Sequence, residues 1–62
     1  MATVAIYSIS TNRLRRAIRD EDLTVSGILL NHPVGVDEGF VEAPADLSVW
    51  DVEAWFDKRS VA

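Results

Sequence analysis

Sixty-two residues without a cysteine leave room for one hydrophobic core and offer no disulfide or thiolate-metal site to reinforce it. A chain this short buries only about 60% of the surface its unfolded form exposes, so its margin of stability is thin. Small domains commonly recover that margin by self-association, and a homodimer is therefore the structural expectation. One histidine cannot build an imidazole metal site, and no cofactor is expected. A hydrophobic share of 48% is ordinary for a globular protein and argues against a disordered tail. The whole of residues 1–62 reads as one small domain.

The sequence contains no apolar run approaching the 18 or more residues of a membrane-spanning helix. The short apolar run at residues 2–9 precedes the basic residues, the reverse of a secretory signal, and suits a strand. A cytoplasmic protein without membrane contact is the expectation.

Local patterns predict an α+β fold of order β-α-β-β-α. The run ATVAIYSI, Ala2 to Ile9, is rich in β-branched and aromatic residues and forms the first strand. Ser10, Thr11 and Asn12 are candidate helix N-caps, and Leu14, Ala17 and Ile18 repeat at the i, i+3, i+4 spacing of a buried helical stripe. Val25 to Leu30 reads as a second strand ended by Pro33, and residues 34–41 as a twisted hairpin whose return strand holds Phe40 and Val41. A second helix starts at Ser48, where Ser48 and Asp51 resemble a capping box with the shorter acid, and runs to about Arg59. Val49, Val52, Trp55 and Phe56 fall on one face of it, with Leu47, Trp50 and Ala54 on roughly the other.

Charge is divided along the chain. Residues 1–19 hold four arginines and no carboxylate, whereas residues 20–62 hold two basic residues and all ten carboxylates. Such a split favours a charged partner over small-molecule chemistry. On the predicted first helix, Arg13, Arg15 and Arg16 stand at the positive end of the backbone dipole and Asp20, Glu21 and Asp22 at the negative end, an arrangement that opposes stability. A helix N-terminus with hydroxyl caps and guanidinium groups is an anion site, and Ser10, Thr11, Asn12, Arg13, Arg15, Arg16 and Arg19 are its candidate residues, for nucleic acid phosphate or for a partner's carboxylates.

Trp50 is either a packing residue or an interface anchor, because tryptophan is enriched at binding hot spots. Trp50, Asp51, Ala54 and Asp57 are the candidate protein-binding residues. His32 beside Pro33 reads as a turn residue, and the acidic clusters lack the ligand spacing of a calcium loop. No nucleophile-base pair or glycine-rich phosphate loop is evident, so an enzyme is not expected.

Tyr7-Ser8 followed by Leu14, and Ile28-Leu29-Leu30 followed by Gly35, resemble the DNA-binding part of prevent-host-death antitoxins of the Phd/YefM type over residues 3–41. The resemblance implies a homodimer that holds operator DNA through the first helix, with Arg13, Arg15, Arg16 and Arg19 on phosphate. It also implies a toxin-neutralising C-terminal segment, here the acidic helix with Trp50, Trp55 and Phe56. The expected function is thus an antitoxin-like regulatory module contacting nucleic acid through the arginines and a protein through the acidic half. The alternative is a purely protein-binding inhibitor or adaptor of phage type, acting by its acidic surface.

Overall fold

The computed structural model describes residues 1–60. The elements are β1 (Ala2–Ser8), β2 (Arg13–Asp20), α1 (Val25–Asn31), β3 (Glu38–Ala43) and α2 (Val49–Ser60). The three strands form one antiparallel sheet in the order β2-β1-β3. The α+β class holds, but the element order is β-β-α-β-α.

The central strand explains the opening run of the sequence. Residues Ala2 to Ile6 are all buried because β1 is covered on both faces, so its sequence is nearly continuously apolar rather than alternating. Ala2, Val4 and Ile6 pack with Ile28 of α1, with Ile18, Leu23, Val25 and Leu29 around them. Ala5 packs with Val52 and Phe56 of α2, flanked by Tyr7, Leu14, Ala17, Val41, Leu47 and Trp55. Alternate β1 side chains therefore meet opposite helices, and the sheet is the middle of three layers.

Three segments differ from the sequence-based expectation. Residues 13–20 are a strand, not a helix. The register passes from Ile6 opposite Arg16 to Tyr7 opposite Leu14, so Arg15 is an extra residue in a β-bulge. That insertion moves Leu14 and Ala17, three apart, onto the α2 side, while Ile18 goes to the α1 side. A bulge combined with burial on both faces thus imitates the helical spacing. Ser10, Thr11 and Asn12 are not helix caps but lie in the β1–β2 turn, where Asn12 takes a left-handed φ of 56° and donates its N–H to the Ser8 carbonyl at 2.8 Å.

Residues 25–31 are the helix α1, not a strand. The Thr24 hydroxyl accepts the Gly27 N–H at 3.4 Å as an N-cap, and Val25, Ile28 and Leu29 turn one stripe to the sheet. The β-type composition of this segment is overridden by that cap and stripe. Residues 32–37 form a loop, and the expected hairpin is replaced by β3 alone, which pairs with β1 rather than with a strand immediately before it.

Helix α2 keeps the expected core face except at Val49, which stands exposed at the start of the helix. Val52 and Phe56 are buried, Trp55 is half-buried, and Trp50 and Ala54 face outward. Leu47, expected on the outer side, instead packs against the core from the turn before the helix. The Ser48 hydroxyl donates to the Asp51 carboxylate at 2.9 Å, and Asp51 in the first turn with Lys58 and Arg59 in the last complements the helix dipole. No helix among the described residues is long and apolar enough to cross a membrane.

Candidate functional site

The arginines of β2 do not share one face. Arg13 lies opposite Ser8 and Arg16 opposite Ile6, on the α1 side; Arg15 is the bulged residue; Arg19 lies opposite Thr3 on the α2 side. The helix dipole that would have opposed them is absent because the segment is a strand, and strand dipoles largely cancel.

Carboxylates of the same chain hold most of these guanidinium groups. Glu38 receives Arg15 Nη1 on Oε2 and Arg16 Nη2 on Oε1, both at 3.3 Å. Arg15 also stands 3.9 Å from Asp37, and Arg16 donates to the Pro33 carbonyl at 3.4 Å. Arg19 pairs with Glu21 at 3.4 Å and donates through Nε to the Ala45 carbonyl at 3.3 Å. Arg13 is exposed and has no ion pair among the described residues.

Asp37 organises the rest of this cluster. Its left-handed φ of 63° places it at the end of the loop before β3, where its carboxylate accepts from Ser8 Oγ at 3.0 Å, Ser10 Oγ at 2.6 Å and the Ser10 N–H at 3.0 Å. The Ser10 hydroxyl, then the Ser8 hydroxyl, hold its carboxyl below the usual range. Glu38 is held below its usual range first by the Gly35 N–H, which donates at 2.7 Å, and then by Arg15. Thr11 donates its N–H to Ser8 Oγ at 3.3 Å, and Asn12 closes the turn. The candidate anion residues Ser10, Arg15 and Arg16 are thus gathered around the carboxylates of Asp37 and Glu38. The missed signal is the Gly35-Val36-Asp37-Glu38 turn, which brings two acids against the bulge.

No family model, curated protein or solved structure matches this chain. The sites therefore rest on their own geometry.

A second surface lies on the far side of α2. Trp50 is 88% exposed, and Asp51, Ala54 and Asp57 are exposed with it. Residues 50, 54 and 57 follow the i, i+4, i+7 spacing of one helical stripe, turned away from Val52 and Phe56 in the core. Glu53 and Asp46 add exposed negative charge nearby in sequence. Phe56 seats this helix on β1, where it meets the Tyr7 ring with centroids 5.3 Å apart, and within the helix Arg59 lies over Trp55 at 5.4 Å. Trp55 is a packing residue, whereas Trp50 contributes nothing to the core. Among the described residues no group of three or more histidine, cysteine or carboxylate side chains is placed to hold a metal ion.

Proposed function

We propose that this chain is a non-enzymatic protein-binding module that presents the outer face of α2, centred on Trp50, to a basic groove on a partner protein, and that it works as a homodimer. The observation that carries the reading is Trp50: a large apolar side chain 88% exposed on a well-anchored acidic helix. An exposed tryptophan with charge around it suits an interface anchor, in which the ring supplies affinity and the carboxylates supply orientation and encounter rate. Presentation from one face of a helix is the groove-binding mode of recognition. Such a module acts as an inhibitor or adaptor, by covering a basic site on its partner. The small core supports the dimer.

Contact with nucleic acid is the weaker reading of the arginines. Arg15 and Arg16 already bridge Glu38, and a phosphate would have to compete with that carboxylate. Of the four β2 arginines, only Arg13 stands exposed without an ion pair among the described residues, too little for a phosphate-tracking surface on that strand.

The test is affinity capture from a cell extract with the wild type, Trp50→Ala and the pair Arg15→Ala/Arg16→Ala. Truncating a tryptophan hot spot removes roughly 2 kcal/mol or more, so recovery of the specific partner is expected to fall by at least about tenfold with Trp50→Ala. Equal recovery of every protein by wild type and Trp50→Ala overturns the proposal. Binding to mixed duplex DNA at ~50 mM salt that is lost in the double arginine variant would move the assignment to nucleic acid.

A further inference from the structure

We propose that the dimer seam is the free edge of β3, paired antiparallel with β3 of a second copy so that Val41 faces its own counterpart across the two-fold axis. This inference rests on the homodimer reading and names its surface. The sheet order β2-β1-β3 leaves two edges, and they are unlike. The β2 edge carries a bulge at Arg15 and four arginines, devices that block edge-to-edge pairing. Self-pairing of β2 about Arg16 would set Arg16 against itself and Arg13 against Arg19.

The β3 edge carries none of these. Its six residues pair with β1 in unbroken register and include no lysine, arginine or proline. The helices pack against β1 and β2, leaving β3 with β1 as its main neighbour, and Phe40 remains 46% exposed on the α1 side opposite Ile6. Beyond Glu38, whose N–H is taken by the Gly35 carbonyl at 3.2 Å, this regular, partly apolar edge is the template that a second strand completes.

Face and charge choose the register. In an antiparallel pair about a two-fold axis, opposed residues lie on the same face, so the centre falls on a residue. Centring on Phe40 would set Glu38 against Glu42 of the second copy, twice. Centring on Val41 opposes Val41 to itself, Gly39 to Ala43 and Phe40 to Glu42, with no like charges opposed. The two Phe40 rings then stand at diagonal positions within aromatic reach. Pairing ends at Pro44, which has no N–H to donate and would stand opposite Glu38.

Sedimentation equilibrium of the full chain tests this with two exchanges at one exposed site. Phe40→Glu sets two glutamate pairs across the seam and is expected to weaken the dimer by at least about tenfold. Phe40→Lys sets two lysine-glutamate pairs and is expected to keep the dimer, although both variants remove the same ring. Unchanged circular dichroism in each confirms that folding is not the variable, and Trp50→Ala is expected to sediment as the wild type does. A wild type that stays monomeric at every concentration overturns the dimer reading and the seam together. Dimers of equal strength in Phe40→Glu and Phe40→Lys, or dissociation of both alike, overturn the seam alone and leave the dimer reading standing.

Discussion

The Ser10 hydroxyl donates a 2.6 Å hydrogen bond to the Asp37 carboxylate across 27 residues of sequence. It ties the β1–β2 turn to the loop that launches β3, and the Ile9 N–H adds a 2.8 Å bond to the Asp37 carbonyl. Both edges of the sheet are therefore fixed at one end of the central strand. The same tie brings Glu38 within reach of Arg15 and Arg16, converting a patch that is cationic in sequence into one that is largely neutralised in space.

Acid is expected to loosen this end of the sheet. The Asp37 and Glu38 carboxyls are held below their usual range in the folded chain, by the Ser10 hydroxyl and the Gly35 N–H foremost. For a lowered carboxyl the stabilisation is present above the unfolded-state value and is lost as pH falls through the folded one. Melting temperature should therefore drop as pH falls below about 4, and the drop should be smaller in Asp37→Ala/Glu38→Ala. Identical pH slopes for wild type and double variant would remove these two groups as the cause.

Phe56 and Trp50, on opposite faces of α2, should behave oppositely. Phe56 is 1% exposed and packs on Tyr7, so Phe56→Ala should cost ~3–5 kcal/mol and leave little folded protein at so small a size. Trp50→Ala should change stability by less than ~0.5 kcal/mol, because its ring touches water rather than the core. Urea unfolding of both variants reads the contrast. A large loss in Trp50→Ala would make it a packing residue and remove the basis of the proposed interface.

Helix α2 is legible because the stripe of Val52, Trp55 and Phe56, a first-turn acid and last-turn bases all agree. Strand β1 was legible for a similar reason, a breaker-free β-branched run. The segment Arg13–Asp20 was not, since one inserted residue at Arg15 changes a two-residue period into a three-residue one and makes Leu14, Ala17 and Ile18 look helical. Val25–Leu30 looks like a strand because it is a short apolar run before Pro33, whereas the Thr24 cap is the better signal at that boundary. Of the candidate sites, helix geometry sets Trp50 and Ala54 away from Val52 and Phe56 but leaves Trp50 open between packing and exposure, which its 88% exposure decides. The cluster of Arg15, Arg16 and Glu38 did not, because ion pairs at separations of 23 and 22 residues depend on strand pairing that no local pattern encodes.

Gly39 is expected to resist even one added methyl. A Cβ there would stand 2.8 Å from Tyr7 Cζ and Oη, in a ring that also packs on Phe56, so relief must displace part of the core. Gly39→Ala should therefore destabilise by ~1–3 kcal/mol. In a Tyr7→Val background the same substitution should cost much less, a coupling that a double-mutant cycle measures directly. Additive effects would show that the Tyr7 ring is not the obstacle.

Thr3 offers the opposite case, a change that should stabilise. Its side chain is fully buried on β1, between Arg19 of β2 and Ala43 of β3, and its Oγ1 has no hydrogen-bond partner among the described residues. An unpaired buried hydroxyl keeps its desolvation cost without the compensating bond, whereas valine has nearly the same shape and higher strand propensity. Thr3→Val is thus expected to add ~1 kcal/mol and to raise the melting temperature by several degrees for a domain of this size. Thermal and urea melts at neutral pH check it. A loss of stability would mean that the hydroxyl is bonded in solution, most directly by a bound water, and that the middle of the sheet is wetter than its packing indicates.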